Sequence, residues 1–363
     1  MTPDSEPQVT VLIPAFNQER YLSQTIASVV TQTFREPMRI IVLDDGSQDK
    51  TLAVARDIAA STPNLTVVHQ DNQGRVGARN RLVELATTEL LAWLDGDDIA
   101  APNWIEEQVQ HLRLNGHIVA VSAQGYAMTA ECLPIGPLPR PLSHQEIDVA
   151  HLNGEANVFF QSCTTVRKSA LISAGAYRDA YSASEDYDLW LRMAELGELE
   201  NLASCHLLYR VHAASANWTS NVDQRTTGEA ILKAARARRR LRPLAASPET
   251  IPHPEKDDWN RRLFWINIAA RSGNPLTALR LIRQALLRHP GSPLIWLFLL
   301  SSMIDSLICF GNRTSNFCPG TIPRPGRLPA LSAYALGRRI AAFKRTAFRF
   351  LGLSQTQVPV RAD

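Results

Sequence analysis

Between Val9 and Tyr126, short apolar runs alternate with amphipathic stretches, and this rhythm limits the fold more than any other feature of the chain. Val9 to Ala15 is apolar throughout, as suits a strand buried on both faces. Gln18 to Thr31 follows with Tyr21, Leu22, Ile26, Val29 and Val30 at helical spacing. The same reading gives strands at Arg39 to Leu43, Leu65 to His69, Leu90 to Leu94 and His117 to Tyr126. Helices fall at Lys50 to Ala60, Arg75 to Ala86, and Pro102 to Asn115, the last opened by a first-turn proline. Strict alternation implies parallel strands joined by right-handed crossovers. The expected class is α/β, a mostly parallel sheet flanked by helices, with ligands bound beyond the carboxyl ends of the strands.

The rhythm breaks after Tyr126. Leu133 to Pro141 holds four prolines and reads as a loop. Ala156 to Val166 reads as a strand, Lys168 to Gly175 as a short helix with its cap, Glu185 to Leu196 as a longer helix and Ala203 to Val211 as a last strand. A length of 363 residues exceeds the usual single domain. The character changes near Thr226, so the expected division is 1–225, a helical extension 226–310 and a basic tail 311–363. In the extension, Ile231 to Arg242 is a basic helix. Trp259 to Arg271 and Pro275 to His289 pair around Ser272-Gly273-Asn274, in the manner of one tetratricopeptide unit. An apolar helix follows at Leu294 to Phe310; it is slightly short for a membrane span and carries Asp305, so it reads as buried. The tail holds nine Lys or Arg against one acidic residue. Arg338 to Phe350 interleaves basic and aromatic residues, as a membrane-surface or partner-binding helix would.

A net charge of +3 is too small to point to nucleic acid. The five cysteines, Cys132, Cys163, Cys205, Cys309 and Cys318, are odd in number and lack C-x-x-C spacing. That argues against a disulfide framework or zinc and fits a reducing compartment. The N-terminal residues are acidic early, with no basic stretch before an apolar run, so no signal peptide is expected. The expected location is cytoplasmic, with the tail holding the chain at the inner membrane face.

Four strand ends carry the chemistry: Pro14-Ala15-Phe16-Asn17, Asp44-Asp45-Gly46-Ser47, Asn72 to Asn80 (NQGRVGARN) and Asp95-Gly96-Asp97-Asp98. A parallel sheet brings these loops to one edge. Each has a plain structural explanation. Asp-Asp-Gly-Ser is a common strand-to-helix turn with Ser47 or Asp49 as cap, Arg79 can sit on a solvated face, and Asp-Gly favours turns. The Gly74 and Gly77 spacing is not a dinucleotide fingerprint. The cluster Asp95, Asp97 and Asp98 is harder to dismiss. Carboxylates gathered after an apolar run repel one another unless a cation is bound. Carboxylates with diphosphate oxygens suit a hard ion such as Mg2+ or Mn2+.

Five stretches in order resemble a family 2 glycosyltransferase of the GT-A fold: VTVLIPAFNQERYLSQTIASVVTQTF, IIVLDDGSQDKT, NQGRVGARNRLVELA, LLAWLDGDD and SEDYDLWLRM. The resemblance covers roughly residues 8–215 and not the C-terminal third. It implies that Pro14, Ala15 and Phe16 line a nucleotide pocket and that Asp45 accepts from the base N–H of a uracil-type nucleotide, with Asp44 beside it. Arg79 would face the nucleotide or its phosphates. Asp95 and Asp97 would form a D-x-D motif, the first meeting the ribose and the second the metal, and His212 would be a third protein ligand. Asp186, with Glu185 second, would be the base; by itself the segment reads as a helix capped by Ser184 with acids at its positive end. Asp188 is expected to be structural, and Asp98 receives no role.

The implied activity is an inverting, metal-dependent transfer of a sugar from a nucleotide donor, a UDP-sugar, to a glycan or lipid-linked acceptor. Charge growing on the leaving diphosphate calls for a divalent ion, and one carboxylate suffices to take the acceptor proton in a single inversion. Two rivals remain. A nucleotidyltransferase would carry a Gly-rich basic loop after the first strand, where this chain has PAFNQER. A non-catalytic nucleotide-sugar-binding scaffold would not need both acidic motifs.

Overall fold

The computed structural model describes residues 6–212, 221–242 and 258–288. The chain divides into two compact units, with residues 6–242 in the first and 258–288 in the second. In the first unit, β1 (Val9–Ala15) is flanked in parallel by β2 (Met38–Asp45) and β4 (Leu90–Trp93), and β2 by β3 (Leu65–Gln70). The crossovers are α1 (Leu22–Val30), α2 (Thr51–Ala59) and α3 (Gly74–Leu85). A two-residue strand, β5 (Ile99–Ala100), and α4 (Trp104–Leu114) lead to β6 (Ile118–Thr129). Alternation along β1 serves two cores. Val9, Val11 and Ile13 pack with α1 and α4 residues such as Ile26 and Trp104. Leu12 packs on the opposite face with Leu82 of α3 and Trp190. A strand buried on both faces explains its unbroken apolar run.

The sheet is mixed beyond β4, within the mostly parallel architecture expected. After β7 (Pro134–Leu138) and α5 (His144–Leu152), β8 (Thr164–Arg167) inserts antiparallel between β4 and β6. Next come α6 (Lys168–Ser173), α7 (Glu185–Met193) and β9 (Glu198–Val211), which runs parallel to β6 and antiparallel to β5. Among the described residues the sheet order is β3-β2-β1-β4-β8-β6-β9-β5, with β7 on β6. Pro134 to Leu138 is therefore an edge strand rather than a loop; its prolines are tolerated because an edge leaves amides without a required partner. Ala156 to Val166 is mostly not a strand. It holds a 3-10 turn at Ala156–Val158, and Cys163 at φ 56 breaks the extended path just before β8. Pro102 precedes α4 by two residues instead of opening it. The Gly175 cap is as expected, at φ 88 after α6.

The first unit closes with α8 (Asn221–Arg238). Its Ile231 and Ala235 pack with Tyr187 and Leu191 of α7. Arg239 just beyond it pairs with Asp148 at 2.6 Å, and Arg238 with Glu195 at 2.9 Å, so much of this basic run is held by the chain's own acids. In the second unit, α9 (Asp258–Arg271) and α10 (Pro275–Arg288) form the expected helical pair around Ile266, Ile282 and Ala285. Among the described residues no helix is long and apolar enough to cross a membrane. The segments Leu294 to Phe310 and Arg338 to Phe350 lie outside the described residues.

Candidate active site

The loops that close β1 to β4 meet at one edge and are sewn together by short side chains. The Asn17 N–H donates to Ser47 Oγ at 2.9 Å, and Asn17 Oδ1 accepts the Gln48 N–H at 2.9 Å. Gln18 N–H donates to Thr51 Oγ1 at 2.7 Å, and Glu19 and Asp49 exchange similar bonds with the two loops. The α1 helix starts at Leu22 and not at Gln18, with the Tyr21 and Leu22 amides both turned back to the Gln18 carbonyl at 3.0 Å. Asp49 Oδ1 accepts the Thr51 N–H at 2.9 Å, but the cap position of α2 is Lys50 with no side-chain cap bond, which corrects the expectation of Ser47 or Asp49 as cap. Pro14 and Ala15 end β1 beneath this seam, and Phe16 stands 46% exposed beside it.

Asp44 and Asp45 end β2, both buried. Asp44 Oδ2 lies 2.8 Å from His69 Nδ1. Asp45 Oδ1 accepts from Gln70 Nε2 at 2.7 Å and from the Gln73 N–H at 2.9 Å. Both bonds fall on one oxygen and leave Oδ2 for another donor. Gly46 at φ 73 carries the chain past Asn72, whose backbone nitrogen would lie 2.7 Å from any Cβ at that position.

The Asp95-Gly96-Asp97-Asp98 turn sits against the end of β1, where a Cβ on Gly96 would meet the Pro14 carbonyl at 3.1 Å. Three acids in this turn take three different partners. Asp95, about a third exposed, accepts from Arg79 Nη2 at 3.2 Å, and its N–H donates to Ser162 Oγ at 3.2 Å. Desolvation raises its pKa, Arg79 opposes the rise and Asp97 adds to it. Asp97 Oδ2 lies 2.8 Å from His212 Nε2. Asp98 is buried and accepts the Arg210 N–H at 2.9 Å. Burial first, then Asp97 and Asp95, push its carboxyl well above the usual range. Arg210 completes the clamp: Nε donates to the Asp97 carbonyl at 2.6 Å, Nη2 to Gln24 at 2.8 Å, and the guanidinium lies 4.7 Å from the Tyr21 ring centre. Asp98 thus anchors β9 to the turn, which is how His212 comes to lie beside Asp97.

Arg79 is buried and not on a solvated face. Its Nη1 donates to Glu185 Oε1 at 2.6 Å while Nη2 reaches Asp95. Burial opposes its charge, yet Glu185 and Asp95 hold the guanidinium pKa above its ordinary value. Glu185 is also buried; desolvation raises its pKa against the pull of Arg79, and Asp186 adds to the rise. Asp186 is the more accessible of the two acids, half-buried at the start of α7, with Oδ1 accepting the Tyr187 N–H at 2.8 Å. Asp188 points away into pairs with Arg178 and Arg192, as a structural acid should. Ser184 occupies the cap position without making a side-chain cap bond, which corrects the capping expectation. Ser162 and Arg210 are the site residues that sequence reasoning gave no role, because their contacts cross 67 and 113 residues.

Among the described residues, no three His, Cys, Asp or Glu side chains enclose one point. Asp95 turns to Arg79 while Asp97 turns to His212, so the expected three-ligand set does not converge. The donor pair that fits a divalent ion is Asp97 with His212.

Comparison with known proteins agrees with this architecture. The family model for glycosyl transferase family 2 matches residues 10–173. The chain is 30% identical over 237 residues to an uncharacterized glycosyltransferase of Haemophilus influenzae, covering 62% of this chain and 72% of that one. It is 31% identical over 210 residues to the amylovoran biosynthesis glycosyltransferase AmsE of Erwinia amylovora, covering 57% and 76%. Residues 1–349 of S. aureus TarS, solved with UDP-GlcNAc, share the fold at a TM-score of 0.50 and 14% identity, covering 89% of this chain and 98% of that one. With two relatives at this level of identity over most of their length, and a sheet of the same architecture, the chain belongs to glycosyltransferase family 2 and is a glycosyltransferase of the GT-A fold.

Proposed function

We propose that the enzyme transfers a sugar from a UDP-sugar to a glycan or lipid-linked acceptor, with inversion and with a divalent cation, Mn2+ or Mg2+. The observation that supports this most is the Arg79 bridge. It ties the Asp95 loop to the Glu185-Asp186 helix end, so the carboxylates read as donor-side and acceptor-side gather around one guanidinium. In this reading Asp45 Oδ2 accepts from the base N–H, with Pro14, Ala15 and Phe16 along the nucleotide. Asp95 meets the ribose, and Arg79 holds it in place and carries positive charge next to the donor. Asp97 and His212 hold the cation, which when bound offsets charge on the leaving diphosphate. Asp186 takes the proton from the acceptor hydroxyl, and Glu185, locked on Arg79, fixes the helix end that presents it. The relative named for amylovoran biosynthesis is in keeping with a growing polysaccharide as acceptor.

The test is nucleotide diphosphate release across a donor panel with Mn2+, then Mg2+, then chelator. Release that needs the cation and an acceptor is the expected result. A scaffold would release nothing, and a nucleotidyltransferase would release no nucleotide diphosphate from these donors but would release pyrophosphate from a nucleoside triphosphate and a sugar phosphate. Asp97→Ala and Asp186→Ala should each abolish transfer, with donor binding surviving only in the second; turnover by Asp186→Ala would sink the base assignment. The basic tail, 311–363, supports a cytoplasmic enzyme held at an anionic membrane face. Unchanged sedimentation with anionic vesicles after deleting 311–363 would remove that part of the proposal.

A further inference from the structure

One partly buried arginine of this sheet has no carboxylate partner among the described residues. Arg79 and Arg192 pair with carboxylates, and Arg210 is wrapped by several acceptors. Arg140, just after β7, has none of these. Among the described residues, its guanidinium makes one hydrogen bond, from Nη1 to the neutral Pro139 carbonyl at 3.1 Å. Its Nε is buried without a partner. Desolvation pulls its pKa down to about 10, opposed by the neighbouring Tyr209 phenol. A shielded cation left unpaired is costly.

Arg140 is also built in place. Its N–H donates to Gln124 Oε1 at 2.7 Å, and its carbonyl accepts from Gln124 Nε2 at 3.3 Å. The guanidinium stacks 4.2 Å from the centre of the Phe160 ring. That ring lies where a Cβ on Gly125 would approach within 3.0 Å, so glycine leaves it room. The register brings the group to the catalytic edge. Trp93 of β4 pairs with Thr164, and Thr165 pairs with Val121 of β6. Gln124 lies three residues past Val121, as Asp95 lies two past Trp93, and β4 and β6 run in the same direction. Phe160 is two residues from Ser162, which binds the Asp95 N–H.

We propose that Arg140, stacked on Phe160, receives an anionic group of the acceptor, a phosphate or a carboxylate, and so selects charged acceptors over neutral ones. The inference rests on the sugar-transfer reading and assigns an acceptor subsite within it. A planar guanidinium with Nη groups available is suited to a bidentate oxyanion.

The experiment measures Kd by calorimetry on the full chain with UDP and Mn2+ present, using octyl glucoside, glucosyl octyl phosphate and octyl glucuronide as probes. At least one anionic probe should bind about tenfold or more tightly than the neutral one. Whichever anionic probe wins identifies phosphate or carboxylate as the group. In Arg140→Gln the anionic-to-neutral preference should fall to near one, and in Arg140→Lys, which keeps charge but not the planar fork, to an intermediate value. The Lys variant keeps the test open if the Gln variant fails to fold. No preference in the native protein, or an unchanged preference in both variants, overturns the assignment. Failure of the native enzyme to release nucleotide diphosphate from any donor instead removes the transferase reading beneath it.

Discussion

At the scale of single residues, the site is organised by which carboxylate each arginine takes. Arg79 serves two acids from one planar group, a geometry that lysine cannot copy. Arg79→Lys is therefore expected to lower kcat/KM for transfer at least tenfold, read by nucleotide diphosphate release; the native rate in that variant would remove the bridge from the mechanism. Asp188 works on the structure alone, buried between Arg178 and Arg192. Asp188→Ala leaves two guanidinium groups without their anion and should cost about 3–5 kcal/mol in a urea titration. A loss below about 1 kcal/mol would mean the pairs are replaced by water.

At the scale of elements, the packing of α5 on α7 contains a buried titrating group. His151 is fully buried, neither ring nitrogen makes a hydrogen bond of good geometry although the Ala156 backbone lies close, and the ring meets Tyr187 edge-on at 5.5 Å. Burial, helped by the charge of Arg239, depresses its pKa from 6.5 to about 3. The unfolded chain therefore binds this proton first, so the neutral ring favours folding above about pH 6.5 and that share of stability is lost as pH falls toward 3. His151→Leu removes the titration and two poorly satisfied nitrogens. It should match or exceed the native melting temperature at pH 5 and flatten its fall between pH 6.5 and 4. A steeper fall in the variant would contradict the buried neutral state. The α5 helix was not read from the chain: Ser143 and Glu146 form a capping box, but the helix's short length and the prolines before it hid the signal.

At the scale of the whole molecule, the site residues and both cores of the sheet lie in one compact unit. A chain ending at Leu244 is expected to melt cooperatively and to keep donor turnover within about threefold, followed by calorimetry and nucleotide diphosphate release. Unfolding of that fragment would show that the C-terminal unit completes the first. Most of the architecture was legible: the four parallel strands, their crossovers and the helical pair follow from local periodicity, which packing on both faces reinforces. The edge strand β7 and the inserted β8 were not, because prolines and a left-handed Cys163 disguise segments whose pairing is decided by distant neighbours.

By itself the sequence determined that four polar strand ends share one sheet edge, because alternating strand and helix admits few topologies and all of them collect the carboxyl ends. It also carried the ordered motifs that mark the family. Only the tertiary structure decided how the acids divide their work. Asp98 is an anchor because β9 returns to give it the Arg210 amide, 112 residues away. Arg79 turns inward because Glu185, 106 residues away, arrives beside it on α7. Such pairings depend on which strands become neighbours, and local periodicity, with a reach of a few residues, does not encode that choice.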